Sequence, residues 1–304
     1  DTGIKRQITE KIDCYRARIE ELHSIKDSLK ETGLTQMCVT DPDAKSMKNN
    51  GRFEVCFNLQ AAVDGEHNLL VAYDVVNDVN DQGQLSNMVS KVKEVFHDQA
   101  ITAVADTGYY NLEQIIDAVD EQTEILIKPQ KGKKERSKNG FDKTDFDYNK
   151  NDDTYVCPSG FILEHKWNGK QNGKNYKRYI CTDFESCGQK DKCTTAKGGR
   201  AVTRLDNEEI VDQVFKNTSA QHIRYLKRGT IVEHPFGTIK RHLGYTFLLT
   251  RGLKSVKTEA SLICLAYNFK RLVKIKGVGQ LVALFRATAT PGPLSQTFIL
   301  SKSA

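Results

Sequence analysis

The sequence predicts an α/β protein in which helices flank a mixed sheet, with a cysteine-rich insertion before the last helices of that core. Strand-like and helix-like patterns alternate up to about residue 129, the pattern then breaks, and helical patterns return near residue 221. A chain of 304 residues is long enough to bury a large core. Its mean hydropathy is −0.53 and no apolar run reaches membrane-spanning length, so we expect a soluble protein without membrane contact.

The same patterns divide the chain into five parts. Because the chain begins with Asp rather than Met, we expect the first part to be the end of a longer upstream region. The parts are a helical N-terminal segment (1–40), the first part of the core (41–129), the insertion (130–220), further core helices (221–276) and a loose C-terminal tail (277–304).

The N-terminal segment has the pattern of an amphipathic helix. Apolar residues recur at alternating spacings of four and three between Ile8 and Leu29, with Lys, Arg and Glu between them. Three interpretations remain: a helix packed on its own domain, which we favour, a short coiled coil at a dimer contact, or the end of an upstream domain.

The first strands of the core follow a polar loop. Apolar residues alternate with others from Phe53 to Val63, as in one long strand that ends at Asp64. A turn at 65–68 and a second apolar run at 69–76 complete a hairpin, and a helix follows at 85–95.

A second carboxylate ends a later strand. The short apolar run from Ile101 to Ala105 stops at Asp106, Gly108 permits a tight turn, and Asn111 is a suitable N-cap for the next helix. Open α/β sheets place their chemistry at the carboxyl ends of strands, so Asp106 is a candidate catalytic residue. The alternative is an Asp that only caps a loop.

This order of elements, with one more strand near 125–127, is the layout of a ribonuclease H-like fold. If the strands before Asp64 and Asp106 are adjacent, the two carboxylates can share Mg²⁺, which binds carboxylate oxygens together with water and phosphate. Taken alone, Asp64 is also compatible with the role of an ordinary turn residue.

The insertion contains four of the eight cysteines and few large apolar residues. Thiolate ligands on Zn²⁺ would stabilise a segment that lacks a core of its own. The tight Cys-x₂-Cys pairs of a zinc ribbon are absent, so reduced structural thiols are an equal alternative. The candidate zinc ligands are Cys157, Cys181, Cys187 and Cys193.

A third acid lies in a strongly basic region. From residue 214 to residue 276 thirteen Lys or Arg accompany only Glu233 and Glu259, which points to a phosphate-rich partner. Pro235 would either begin a helix, with Glu233 near its start, or kink a longer helix. The groups near Glu233 suited to phosphate are Tyr225, Arg228, Lys240 and Arg241.

Taken together, several segments resemble a DDE transposase of a bacterial insertion sequence, of the group numbered eleven-eighty-two. The resemblance covers roughly residues 40–274. The segments are Gln60–Asp64, Asn77–Asp81, Ala105–Asn111, the Cys-rich insertion and Val232–Arg241.

The resemblance implies a ribonuclease H-like catalytic core that binds Mg²⁺ or Mn²⁺ through Asp64, Asp106 and Glu233. It also implies double-stranded DNA as partner, a homo-oligomer on that DNA, and a cytoplasmic, nucleoid-associated location in a bacterium. Related families carry a Tyr-x₂-Arg-x₃-Glu-x₆-Lys signature. Here four residues instead of three separate Arg228 from Glu233, which weakens the assignment of Arg228.

The implied reaction is metal-dependent cleavage of DNA at the ends of the element, followed by strand transfer into target DNA. Two alternatives are open at this point. One is a non-catalytic DNA-binding relative, decayed or domesticated, and the other is a nuclease that cleaves without joining.

Overall fold

The computed structural model describes residues 2–49, 51–97, 99–130, 140–171, 173–286 and 297–303. The Lys-rich residues 131–138 of the predicted insertion therefore lie outside the described residues. The strands are β1 (Lys45–Asn49), β2 (Arg52–Cys56), β3 (Asn58–Asp64), β4 (Leu70–Val76), β5 (Ile101–Ala105), β6 (Thr123–Leu126), β7 (Asp147–Asn149), β8 (Thr154–Val156), β9 (Ile162–Gln171), β10 (Lys174–Cys181), β11 (Ala201–Leu205) and β12 (Thr297–Ser303). The helices are α1 (Thr2–Thr32), α2 (Leu85–Phe96), α3 (Leu112–Ala118), α4 (Lys190–Cys193), α5 (Glu208–Ala220), α6 (His222–Gly237) and α7 (Leu253–Arg286).

The central sheet has five strands in the order β4-β3-β12-β5-β6. β3 pairs antiparallel with β4 and β12, whereas β5 pairs parallel with β12 and β6. The predicted mixed α/β architecture is therefore confirmed.

Helices cover both faces of this sheet. α2, α3 and α5 pack on one face, where Ala62, Ala103 and Ile125 meet Val89 and Val211. α6 and α7 pack on the other face, whose buried residues are Ala61, Val63, Leu70, Val104, Leu126, Tyr225, Val232, Ile239, Ile263, Cys264 and Tyr267. β3 is buried on both sides, as expected for a strand inside a layered α/β core.

Local signals explain the first helices. α2 buries Leu85, Met88, Val89 and Val92 at helical spacing. α3 begins as predicted, because the Asn111 side chain accepts hydrogen bonds from the backbone N–H groups of Glu113 and Gln114.

The prediction of one long first strand needs correction. The long strand is two strands: β2 pairs with β1, and β3 belongs to the central sheet. The apolar stripe at Phe53 and Val55 is exposed, because β1 and β2 form a separate two-stranded sheet. The alternating pattern was the same in both strands, so it could not show where the burial begins.

The C-terminal tail is not loose where the structure describes it. α7 continues to residue 286 through a break in helical geometry at Gly277, and residues 297–303 form β12 inside the central sheet. A short apolar run near a chain end carries no signal for the sheet that it joins, so the sequence did not indicate this strand.

The insertion forms its own antiparallel sheet, in the order β11-β10-β9-β8-β7. Contrary to prediction it has an apolar core, built from Phe146, Tyr155, Leu163, Tyr179 and Val202. The hydroxyl of Tyr179 donates to Asp153 at 2.6 Å, which satisfies its polar end. α5, which lies within the predicted insertion (130–220), packs on the central sheet.

α1 is a helix, as predicted, but its apolar stripe does not pack on the rest of the chain. Ile12 and Leu22 remain 44% and 49% exposed, and Ile8, Tyr15 and Ile19 are exposed as well. The favoured interpretation, a helix packed on its own domain, is therefore wrong for the described residues.

Candidate active site

Asp106 lies where the sequence predicts it, directly after β5. Its backbone is extended and a short 3₁₀ turn at Thr107–Tyr109 follows, so the carboxylate leaves the sheet edge with half of its side chain exposed. The Arg228 guanidinium of α6 donates to Asp106 Oδ1 at 2.8 Å. α6, which also carries Glu233, is thereby joined to the segment that carries Asp106.

Tyr225, another of the predicted phosphate-binding residues, supports the contact between Arg228 and Asp106. The Arg228 guanidinium carbon lies 4.7 Å from the centre of the Tyr225 ring. The Lys128 ammonium lies 4.9 Å from the same ring, so two cations meet one aromatic side chain. Lys128 was missed by sequence reasoning, because it follows β6 and is far from Tyr225 in the chain.

A second carboxylate faces Asp106. A Cβ atom added at Gly108 would lie 3.4 Å from Asp81 Oδ2 and 3.9 Å from Asp106 Oδ2. Both oxygens therefore border the space over Gly108, and a side chain at this position would intrude between them. Asp81 belongs to the Asn77–Asp81 segment of the resemblance, but sequence reasoning gave its carboxylate no role.

A buried polar network fixes the orientation of Asp81. Its Oδ1 atom accepts hydrogen bonds from Asn58 Nδ2 at 2.8 Å and Gln60 Nε2 at 2.7 Å. The hydroxyl of Tyr109 donates to Gln60 Oε1. Burial, followed by the charges of Asp81 and Asp106, raises the pKa of Tyr109 well above its usual value, so this hydroxyl keeps its proton and remains a donor.

Asp64 lies elsewhere in the sheet. Phe298 of β12 pairs with Asp64 on one side and with Ala103 of β5 on the other. The expectation that the strands before Asp64 and Asp106 are adjacent is therefore wrong: β12 separates them by about 10 Å. β3 is also antiparallel to β5, so the carboxyl ends of these two strands lie at opposite ends of the sheet.

The Asp64 carboxylate is fully buried and only partly satisfied. Its Oδ2 atom accepts a hydrogen bond from the His67 backbone N–H at 2.6 Å. Among the described residues, its Oδ1 atom has no hydrogen-bond partner. A buried carboxylate oxygen without a partner is costly, and a bound cation is one way to satisfy it.

α7 and α6 hold the turn that follows Asp64. The Tyr267 hydroxyl donates to the Asn68 carbonyl at 2.5 Å, and Arg271 Nε donates to the His67 carbonyl at 2.6 Å. His234 Nδ1 lies 3.0 Å from the Tyr267 hydroxyl oxygen. Burial lowers the pKa of His234, and the nearby charges of Arg271 and Lys274 lower it further.

Glu233 is an exposed residue of α6. In the sequence it lies between Arg228, which contacts Asp106, and His234, which contacts Tyr267 beside the turn after Asp64. Pro235 lies inside this helix, so the interpretation that a helix begins there is wrong and the longer-helix alternative is correct. A π-helical turn at Thr238–His242 follows and carries Lys240 and Arg241, both exposed.

The predicted triad is therefore not gathered at one point. Within the described ranges, no three His, Cys, Asp or Glu side chains are arranged to hold a metal ion. The local chemistry nevertheless suits a hard cation, because two carboxylate oxygens border the space over Gly108 and oxygen ligands are what Mg²⁺ prefers. The catalytic and metal-binding assignment of Asp64, Asp106 and Glu233 remains a prediction.

The four cysteines of the insertion lie together at one end of its core. Cys157, Cys181, Cys187 and Cys193 all line the same small cavity. Burial is the main cause that raises the pKa of Cys181, with smaller contributions from Cys157 and Cys187.

Comparison with known proteins gives one match. A protein-family model described as a transposase DDE domain matches residues 156–273. These residues resemble a transposase. The match covers less than half of the chain, and it includes Glu233 and all four clustered cysteines but neither Asp64 nor Asp106.

No curated protein and no solved structure matches the chain. The family match supports a DDE transposase, an enzyme that acts on DNA. In the part of the chain that the structure describes, no helix is long and apolar enough to cross a membrane.

Proposed function

We propose that this chain is the catalytic region of a transposase that cleaves DNA at the ends of an insertion sequence and joins those ends to target DNA. The family match over residues 156–273 carries the proposal. The geometry supports it, because α6, which lies within the match, brings Tyr225 and Arg228 to Asp106, which lies outside the match.

The metal ions would be Mg²⁺ or Mn²⁺, held by Asp106. Asp64, whose strand ends at the other end of the sheet, and Glu233 remain predicted ligands that the fold does not bring to Asp106. When bound, such ions act as Lewis acids on the phosphodiester and lower the pKa of a bound water. Arg228 holds Asp106 Oδ1, so Oδ2 is the atom directed to the space shared with Asp81. The Asn58 and Gln60 amides fix Asp81, which keeps that space lined with negative charge.

The proposed reaction has two steps of the same kind. Water attacks a phosphorus atom at the end of the element, and the 3′ oxygen leaves as a hydroxyl while a 5′ phosphate remains. That 3′ hydroxyl then attacks a phosphodiester of target DNA and displaces another 3′ oxygen. Lys240, Arg241 and their basic neighbours would hold backbone phosphates and read no bases. We propose a homo-oligomer on the DNA as the working form.

One observation favours a second candidate, a DNA-binding protein without catalysis. β12 separates the strands of Asp64 and Asp106, and no metal site is gathered among the described residues. In that case the basic α6–α7 region would bind DNA while the acids only maintain the fold.

An assay of cleavage and joining distinguishes these functions. The chain is incubated with Mg²⁺, target plasmid and a duplex that carries the ends of the insertion sequence encoding it. We expect a nicked end with a 3′ hydroxyl and a product joined to the plasmid. Nicks without joined product would indicate a nuclease, and binding without either product would indicate the non-catalytic candidate.

Removal of one cation from the π turn should weaken DNA binding without regard to sequence. We expect Lys240→Ala and Arg241→Ala each to reduce the slope of log K against log salt by about 0.9, the value for one lost phosphate contact. Binding of a labelled duplex across a salt series measures the slope. Lys150→Ala, an exposed lysine of the insertion, is the control that should leave the slope unchanged. An unchanged slope in both test variants would mean that these two side chains do not contact phosphate.

A further inference from the structure

The cysteine cluster of the insertion is a feature that DNA cleavage does not require. Its four sulfur-bearing residues come from three separated places: the turn after β8, the end of β10, and the segment around α4. They nevertheless line one cavity of about 20 Å³, which is room for one water molecule or one ion. All four are free thiols.

The backbone around the cluster suits a thiolate. After Cys157 the chain folds back in a tight turn, in which the Gly160 N–H donates to the Cys157 carbonyl at 2.9 Å. The Phe161 N–H donates to Cys157 Sγ at 3.3 Å. The sulfur that binds a metal is a thiolate, and a backbone N–H directed at it is a hydrogen-bond donor placed for its negative charge.

The charges near the cavity also suit thiolates. Lys190 and Arg200 line it, and the Lys190 ammonium lies 4.8 Å from the centre of the Phe184 ring in the same wall. Four thiolates around a divalent cation carry a net charge of −2, which two cations offset. Among the described residues no acidic side chain lines the cavity, although the charge of Asp183 also acts on Cys181.

Apolar packing alone does not account for the cluster. The core of the insertion is built mainly of aromatic and aliphatic residues. Cys181 belongs to it and Cys157 and Cys193 pack against it, whereas Cys187 is not part of this core. The other four cysteines of the chain are dispersed: Cys14, Cys38 and Cys56 lie in or near the N-terminal elements, and Cys264 is buried in α7.

We propose that Cys157, Cys181, Cys187 and Cys193 bind one structural Zn²⁺ ion. The sulfurs are not gathered as ligands here, but a change between staggered rotamers moves a cysteine sulfur without moving its backbone. Binding releases the thiol protons to solvent, so acid should displace the metal. The ion connects the turn after β8, the end of β10 and α4, and it thereby fixes the basic segment from Lys190 to Arg200.

Metal analysis of the full chain tests this site without reference to DNA. We expect protein purified without added metal and without a metal-binding tag to contain close to one zinc per chain. Cys181→Ser and Cys193→Ser should each remove most of it, whereas Cys14→Ser and Cys56→Ser, outside the cluster, should retain it. Equal zinc in all four variants, or its absence from the wild-type chain, would overturn the proposal.

A second measurement covers the case in which a Ser variant does not fold. In the wild-type chain, iodoacetamide should leave the four clustered thiols unmodified until a chelator is added, as read by mass spectrometry of peptides. Cys14 should be modified equally with and without chelator, because it is exposed. Modification of the clustered thiols that is independent of chelator would show that they are packed thiols and not ligands.

Discussion

Asp106→Asn should reduce DNA cleavage by about 1,000-fold or more, which corresponds to about 4 kcal/mol of transition-state stabilisation. The substitution keeps the size of the side chain and its contact with Arg228 through the amide oxygen, but it removes the charge that would bind a divalent cation. DNA binding should change little, because the proposed phosphate contacts are made by cations of α6, α7 and the π turn and not by Asp106. Single-turnover cleavage of the end duplex, with binding measured in parallel, gives both quantities.

Asp117→Asn is the matched control for this variant. Asp117 has a similar half-exposed side chain and also accepts from a cation, Lys174 Nζ at 2.9 Å, but it lies on α3 away from Asp106. A surface ion pair of this kind contributes at most about 1 kcal/mol. Cleavage at the wild-type rate by Asp106→Asn, or equal losses in both variants, would contradict the role of Asp106.

Glu233→Gln should cause a loss of similar size, on the order of 100-fold to 1,000-fold in cleavage. Glu233 is exposed on α6, so Gln should preserve the fold, and a lost rate can be attributed to the charge. Melting temperature and cleavage rate are the two readouts.

An exposed glutamate on another helix provides the control. Glu94→Gln on α2 should retain the full rate, because Glu94 is an exposed helical residue that carries no predicted role. If Glu233→Gln also retains the full rate, Glu233 is only a solvated residue of a basic helix and the third acid lies elsewhere.

Local signals in the sequence predicted the position of Asp106 at the end of β5. The position of Asp106 depends on a short strand, a tight turn and an N-cap, and each of these is set by residues within ten positions. The contact with Arg228 could be anticipated only in part, because the resemblance placed Tyr225 and Arg228 near the acids without giving the direction of α6.

Pairing between strands that are far apart in the sequence explains why the separation of Asp64 from Asp106 could not be predicted. β12 enters the sheet from the far end of the chain, and nothing in residues 297–303 indicates that they separate β3 from β5. Asp81 was overlooked for a related reason: it ends no strand, and only the fold brings it to the space over Gly108. The four cysteines of the insertion differ from Asp81 in this respect. Their number in a short segment predicted that they lie together, and in the fold they line one cavity.

A crystal structure of the full chain soaked with Mn²⁺ would show whether Asp106 binds metal, since Mn²⁺ gives an anomalous signal. We expect a Mn²⁺ ion about 2.2 Å from Asp106 Oδ2, with Arg228 still on Oδ1 and further carboxylate oxygens on the ion. Mn²⁺ bound elsewhere, with Asp106 contacted only by Arg228, would contradict an active site centred on Asp106.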